Sequence, residues 1–507
     1  MPLICMQTQR FAALLLAALI PAIAAAQPDR FEPIRETIQK EIAAGKVPSL
    51  SVAVAQDGKI IWEQAFGLAD VENKIPASVR TKYSLASISK PITATALMTL
   101  VKAGKIDLDK PIDDYLGGAK LKGYAGSASE ATVRRVAGHI SGLPLHYHFF
   151  LDSEPYQRPS MAEAIRRYGI LVTPPGEKFQ YANLGYGLLE YAIEQASGST
   201  YAEFVKKRVF EPLGMEHSDI PTKPNPGRDR AVRYWGDGTP LPFYDFDHRG
   251  GSSVFASAHD LVRFGMFHLE TPQPDQKAVL PHGRIAEMQQ QVGKEDASSQ
   301  YGIGWMLYPK QGDYRLVHHG GVMGGVRANL SLIPSEKIAV VVLANRTSQV
   351  VDQVMGDILT TLLPRYGRRT AEERTPPGEE RAGDGSSNGG AGAGMLPKEW
   401  TGEWRGSVHT YEEQVPLRLS ITAAGEAEVE LAEQGTVGVS ALKVEDGYLT
   451  GRFEGDIGTA DAGKREYDLR FSLKLRGGKL NGALTALSVP GSKLGNALTS
   501  WVELRRE

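Results

Sequence analysis

The sequence predicts an α+β protein. One mainly antiparallel sheet is flanked by helices and interrupted by an α-rich lobe, and a separate all-β barrel follows at the C-terminus. Three observations carry this expectation. A hairpin pattern, Ser49–Ala55 and Lys59–Phe66 around Asp57-Gly58, is answered by three more strand patterns between Tyr314 and Ala344, with mostly helical text in between. The stretch Arg365–Gly394 is dense in Arg, Glu, Gly, Pro and Ser and has no apolar period, which reads as a linker. Beyond Pro397 the apolar residues alternate with polar ones at period two.

In chain order, residues 32–45 predict an amphipathic helix, because Ile34, Ile38 and Ile42 recur every four residues and Gly45 stops it. Asp57-Gly58 is the turn chemistry of a two-residue hairpin. A helix beginning near Ser87 runs to about Ala103. Residues 105–310 read as mostly helical with long loops: Ala162–Tyr168, Gly185–Ala196, Tyr201–Val209 and Leu261–His268, the last preceded by capping-box spacing in Ser257-Ala-His-Asp260. Tyr314–His318, Val326–Ile333 and Lys337–Ala344 are the returning strands, and Val350–Leu363 is a closing helix. From residue 397 to 507, alternation such as Val415, Leu417, Leu419, Ile421 and short Gly/Asp turns predict about eight strands closed into a barrel. Gly402-Glu403-Trp404 resembles the start of lipocalin-like barrels. A packing or lid role for this domain is favoured over ligand binding.

Residues 1–26 read as a secretory signal. Arg10 precedes the apolar run Phe11–Ile20, and Ala24-Ala25-Ala26 offers a cleavage site after Ala26. Pro21 breaks the run short of the roughly 20 residues that span a bilayer. The expected organisation is therefore a signal over 1–26, a first domain over 27–364, a linker over 365–396 and a β domain over 397–507, in a secreted or periplasmic protein. The one cysteine, Cys5, falls in the leader, so the mature chain would have no disulfide or cysteine-ligated metal. Formal charge is −2, with no basic excess to suggest nucleic acid and no acidic excess to suggest disorder. No later segment predicts an integral membrane span.

The chemistry centres on Tyr83-Ser84-Leu85-Ala86-Ser87-Ile88-Ser89-Lys90-Pro91. Residues three apart share a helix face, so Ser87 and Lys90 can meet. Pro91 lacks an N–H and fits a first turn, which puts the helix start at the serine. A serine hydroxyl needs a base to become a nucleophile. Lys90 can be that base only if its pKa falls from about 10.4 toward working pH, as burial would make it. Taken alone, a Ser-x-x-Lys pair reads more readily as a serine cap beside a surface lysine.

Two further stretches fit the pair. Tyr181 and Asn183, in Pro174-Pro175-Gly176-Glu177-Lys178-Phe179-Gln180-Tyr181-Ala182-Asn183, lie on a loop just before a helix. A tyrosinate or a polarised phenol could share the Ser87 proton, and Asn183 could hold Lys90 or a substrate amide. His318-His319-Gly320-Gly321-Val322 sits at the edge of the returning sheet, with His319 and bare backbone beside a cleft.

In this order, Ser87-x-x-Lys90, Tyr181-x-Asn183 and His319-x-Gly321 resemble the motifs of the serine β-lactamase and penicillin-binding protein superfamily, in its class C-like branch. Gly67-Leu68-Ala69-Asp70, His139-Ile140-Ser141-Gly142-Leu143 and Pro174-Pro175-Gly176 agree with it. The resemblance covers about residues 30–363. It implies a β-lactamase/transpeptidase-like fold and an acyl-enzyme mechanism. Ser87 would attack a carbonyl, Lys90 and Tyr181 would move the proton, and the backbone N–H groups of Ser87 and Val322 would form the oxyanion hole. Asn183, His319, Gly320 and Gly321 would touch substrate, with no cofactor and no metal. The branch includes D-aminopeptidases, D,D-carboxypeptidases and esterases.

The third motif departs from the Lys-Thr-Gly of many relatives. A neutral histidine and Gly320 in place of a cation and a hydroxyl put recognition of a free carboxylate in doubt. This leans toward a small ester, amide or D-amino-acid peptide as substrate, with β-lactamase or D,D-carboxypeptidase activity and a slowly acylating penicillin-binding sensor as alternatives. D-aminopeptidases of the branch carry His-x-Gly and trailing barrels, of which one is expected here.

Of the other candidates, His139 reads as a loop-fixing residue, His146 and His148 as loop histidines without an obvious acidic partner, and His318 as a strand residue. Tyr147, Phe149 and Phe150 read equally as cleft wall or core, and Trp305 as core.

Overall fold

The computed structural model describes residues 29–151, 157–223, 229–367, 396–463, 466–489 and 495–507. The expected signal, and all but the ends of the expected linker, lie outside the described residues.

The first hairpin forms at Asp57-Gly58, both with positive φ, and joins strands Ser49–Gln56 and Lys59–Asp70. Strand Ser49–Gln56 then pairs antiparallel with Ile338–Ala344, setting Ala53 opposite Val341. These two strands are buried apart from Gln56 at the end of the first. Their residues divide by parity: Leu50, Val52, Val54, Val340 and Val342 enter one apolar cluster, Ala53, Ala55, Val341 and Leu343 the other. That is why the sequence shows continuous apolar runs here and no polar alternation. On the first face lie helices Glu32–Ala43, through Ile34 and Ile38, and Val350–Leu362. On the second lies Ala258–His268, started by Ser257 Oγ accepting the Asp260 N–H at 3.1 Å.

The sheet is larger than the sequence predicts. Among the described residues it has nine strands, and Gly293–Lys294, Gln300–Tyr301, Met306–Gln311 and Ile75–Pro76 go beyond the sequence expectation. All are short or lie toward an edge, and two contain proline, so none shows a hydrophobic period. The predicted strand Tyr314–His318 continues to Met323. The third motif is therefore strand, paired with Val326–Ile333 from Val317↔Leu332 to Met323↔Val326. On its other side its pairing with Met306–Gln311 stops at His318. Among the described residues, 319–323 thus have a strand on one side only.

Helix Ser89–Lys102 runs between sheet and lobe, and 12 of its 14 residues are buried. A helix buried on nearly all sides belongs in the middle of a protein, and its polar residues Ser89, Lys90, Thr93 and Thr95 are buried with the rest. It packs against Asn183–Ser197, the central helix of the inserted lobe.

The C-terminal unit is a nearly closed antiparallel barrel of nine strands, one more than expected. The extra one comes from two short strands, Thr436–Gly438 and Ser440–Glu445, which are neighbours in the chain and end the strand order on either side. Its inward positions are filled by Trp404, Leu419, Val429, Leu449, Leu473, Val502 and Leu504. The barrel grips two loops of the first unit. Tyr147 exchanges backbone hydrogen bonds with Ala497 at 2.9 and 3.1 Å. Glu177, four residues before Tyr181, receives Lys474 Nζ and Tyr448 Oη at 2.6 Å and Arg476 Nη2 at 3.1 Å.

Candidate active site

Ser87 sits in a 3-10 turn, Ala86–Ile88, that leads into helix Ser89–Lys102. Ala86 has φ 46°, a left-handed conformation that costs a non-glycine residue about 1–2 kcal/mol. Neighbours hold the turn in place. Leu85 N–H donates to Val254 O at 2.9 Å, and Ile88 N–H to Leu85 O at 3.1 Å. Gly321 lies so close that a Cβ there would stand 2.1 Å from Leu85 O. Only glycine lets the strand edge pass the turn this closely. The next residue, Val322, is 51% exposed.

Lys90 is fully buried. Its Nζ lies 3.1 Å from Ser87 Oγ, 2.8 Å from Asn183 Oδ1 and 3.1 Å from Gly251 O. Burial holds its pKa well below the ordinary lysine value. Tyr181 lies alongside, with Nζ 4.8 Å from its ring centroid and its phenol hydrogen-bonded to Ser87. Burial pushes that phenol's pKa upward, which favours the neutral phenol over a tyrosinate.

His139 fixes the loop that carries Tyr181. Its Nδ1 accepts the Ala182 N–H at 3.1 Å, and its carbonyl accepts the Gln180 N–H at 2.8 Å. The ring packs 4.3 Å from Tyr181 and 4.5 Å from Tyr301. Its pKa is held far below the ordinary histidine value by burial, with Lys90 and His319 nearby.

His319 points inward. Its Nδ1 donates to Gly320 O at 2.8 Å, which leaves Nε2 to accept the Tyr301 hydroxyl at 2.9 Å. Burial, then Lys90, keeps it neutral. Both nitrogens are occupied within the protein, so the ring has no free polar atom for a ligand. Gly320 and Gly321 lie on the strand edge, where backbone is what they offer. His318 bonds Ser331 Oγ at 3.0 Å within the sheet.

Sequence reasoning missed what lies behind Lys90. Gly251 belongs to a tight turn, Arg249–Ser252. Thr93 Oγ1 donates to Gly250 O at 2.6 Å, and Gly250 N–H donates to Glu190 Oε2 at 2.8 Å. Ahead of the turn, buried Asp247 accepts from His248 Nδ1 at 2.5 Å, from His146 Nε2 at a shorter distance, and from the His148 N–H at 3.3 Å. His146 therefore does have an acidic partner, 101 residues away in sequence. Its ring stacks 4.2 Å from Tyr168, whose hydroxyl bonds Asp461 of the barrel. Phe149 packs 5.3 Å from Tyr244 and 5.1 Å from Phe246, while Phe150 is buried beside His148. The string Asp245-Phe-Asp247-His248-Arg249 was a visible signal of polar residues interleaved with an aromatic, but its partners are remote in sequence.

Glu190 is buried, and burial raises its pKa to about 7 despite Arg158 at 3.9 Å. An acid whose folded pKa lies above its unfolded value of about 4.5 loses stability as pH rises through that window, by about 3 kcal/mol here. Glu190→Gln keeps an acceptor for Gly250. Relative to wild type it should gain stability between pH 5 and pH 8, read as a urea midpoint difference that grows with pH. A difference independent of pH would mean that Glu190 is charged throughout.

The chain is similar to Protein flp of Staphylococcus aureus (strain MRSA252), 25% identical over 341 residues, which span 66% of this chain and 67% of flp. In fold it is similar to SurE solved with D-Leu, at a TM-score of 0.59 and 22% identity, over 92% of this chain and 99% of that one. It is also similar to the D-amino acid amidase of Ochrobactrum anthropi SV3 solved with D-phenylalanine, at a TM-score of 0.54 and 22% identity, over 66% and 98%. At these identities the two structures speak for the fold alone. The family model named Beta-lactamase matches residues 34–362, a span that holds all three motifs and the helices around them. By that match, which runs over well more than half of its length, the chain belongs to the beta-lactamase family.

Proposed function

We propose that the protein is a secreted serine hydrolase that cleaves an ester or amide through an acyl-enzyme on Ser87, in the manner of esterases and D-stereospecific peptidases. One observation carries this reading: buried Lys90 has three polar partners, of which two can only accept. A neutral amine has two N–H groups and one lone pair. Asn183 Oδ1 and Gly251 O take the two N–H groups, and the lone pair is left facing the Ser87 hydroxyl. Every polar group is then satisfied with the lysine uncharged, the state that burial favours.

The steps follow. The Ser87 oxygen attacks the carbonyl carbon while its proton moves to Lys90. The tetrahedral oxyanion is met by the backbone N–H groups of Ser87 and Val322; one such donor is typically worth about 3 kcal/mol. Tyr181, a neutral phenol beside both, relays the proton to the leaving oxygen or nitrogen, whose bond to carbon breaks. Water then attacks the acyl carbon, and Ser87 recovers its proton.

The ester, amide or D-peptide preference is supported by the uncharged His319 at the third motif, and by two fold neighbours, SurE with D-Leu and a D-amino acid amidase. Arg10, the apolar run after it and Ala24–Ala26 support export. Exposure to a fluorophosphonate should add mass to the peptide holding Ser87, and Ser87→Ala should abolish the gain. Among p-nitrophenyl acetate, a D-Ala p-nitroanilide and nitrocefin, one of the first two should turn over. Fast nitrocefin turnover would move the substrate to β-lactams, and no label at Ser87 would end the acyl-enzyme reading.

A further inference from the structure

The loop that carries Tyr181 is held in part from outside its own unit. Residues 177–182 form neither helix nor strand, so no regular backbone pattern of their own fixes the phenol. The segment is anchored at both ends. Near Tyr181, His139 accepts the Gln180 and Ala182 N–H groups. At the other end the Glu177 carboxylate takes three donors from the barrel: Tyr448 Oη and Lys474 Nζ at 2.6 Å and Arg476 Nη2 at 3.1 Å. Lys178 Nζ, next in the chain, lies 3.7 Å from the Tyr448 ring centroid. Burial would raise the Glu177 pKa, but the Lys474 and Tyr448 bonds and the Arg476 charge hold it down at about 2, so the carboxylate stays charged.

The barrel also reaches the other side of the site. Its Asp461 accepts the Tyr168 hydroxyl, and the Tyr168 ring packs 4.2 Å from that of His146. His146 donates to Asp247, ahead of the turn that presents Gly251 O to Lys90. Thr499 Oγ1 donates to Leu145 O at 2.5 Å, and Asn496 Oδ1 accepts the Phe149 N–H at 3.1 Å, on either side of His146 in the chain. Two routes from one domain thus end at Tyr181 and Lys90. The Glu177 route is the shorter, because the gripped carboxylate is four residues from the phenol.

We infer that Glu177 is a positioning residue: through this carboxylate the barrel sets the Tyr181 phenol against Ser87 and Lys90. This deepens the serine-hydrolase reading and rests on it. It gives the β domain a part in the chemistry that packing alone would not. A misplacement of about 1 Å can cost on the order of 100-fold in rate, so the grip need only loosen to be felt at Ser87. A contact that merely docks the barrel would change the melting temperature and leave the rate well below melting as it is.

The test compares variants of the full chain well below their melting temperatures. Glu177→Met should slow fluorophosphonate labelling of Ser87 by about 10- to 100-fold. Glu177→Gln, which keeps an acceptor, should retain part of the rate. Lys474→Met with Arg476→Met should slow labelling similarly. All three methionines together should cost little more than either set, because both sets cut one link. Tyr124→Ala removes a ring stack with Trp501, at 5.4 Å, elsewhere on the same seam. It should lower the melting temperature without slowing labelling. A Glu177→Met protein that labels at the wild-type rate, or a Tyr124→Ala protein slowed as much as Glu177→Met, would overturn the inference and leave the barrel a packing role. Should Glu177→Met not fold, the barrel-side pair is read in its place. Hydrogen exchange reads the loop without the chemistry. The Gln180 and Ala182 amides should exchange faster in Glu177→Met, and those of strand Ser49–Gln56 should not. Unchanged exchange at Gln180 and Ala182 would also overturn the inference, even in a protein whose Ser87 does not label. An unlabelled wild type therefore marks failure of the hydrolase reading, and an unmoved loop marks failure of this one.

Discussion

Lys90→Met should slow acylation of Ser87 by about 10²–10⁴-fold, the usual worth of general-base help, without unfolding the protein. The sign on stability follows from burial. A lysine whose folded pKa lies below its unfolded value opposes folding at every pH below about 10.4, because bringing it into the interior removes its proton or its hydration. Methionine relieves that cost and fills the space. It leaves Asn183 Oδ1 and Gly251 O without their donor, which offsets part of the gain. The melting temperature should therefore be no lower than that of wild type, while the rate of fluorophosphonate labelling collapses. Wild-type labelling should rise with pH through the lysine's pKa, and the residual rate of Lys90→Met should lack that limb. A variant that labels at the wild-type rate would remove Lys90 from the chemistry.

Asp247→Ala should cost about 3–5 kcal/mol at pH 7, the range seen when one member of a buried polar pair is removed. His146 and His248 would each lose the acceptor for a ring N–H, and the His148 amide would lose its partner too. The two histidines hold the Asp247 carboxyl well below the usual carboxylate range, against the opposing effect of burial. An acid with a depressed folded pKa contributes stability that is present above its unfolded pKa and lost as pH falls through the folded one. The gap between wild type and variant should thus be full at pH 5 to 8 and close only below about pH 4. Urea denaturation across that range measures it. The turn beginning at Arg249 presents Gly251 O to Lys90, so labelling of Ser87 should slow as well. An Asp247→Ala protein as stable as wild type would mean that the histidines find other partners.

Much of this site was legible because its parts are local. Ser87 and Lys90 are one helical turn apart, and Pro91 marks where that turn begins. Tyr181 and Asn183 flank a helix start, and two glycines mark a strand that must pass close to something. Other readings failed where tertiary contacts decided. His146 looked incidental because Asp247 is 101 residues away. The sequence left Tyr181 open between a tyrosinate and a phenol, and burial, which the sequence does not display, disfavours the anion. Met306–Gln311 carries Pro309 and has no clear alternation, so its place in the sheet shows only once Tyr314–Met323 is beside it.

By itself the sequence determined most of the longer elements and the pairing of Ser87 with Lys90, because helix periods, turn residues and a three-residue spacing act within a few residues of chain. The tertiary structure decided the charge states. Whether Lys90 is an amine and whether His319 is neutral depend on which distant side chains and carbonyls replace water around them. Those replacements come from Gly251 and Tyr301, each brought in by packing from another part of the fold.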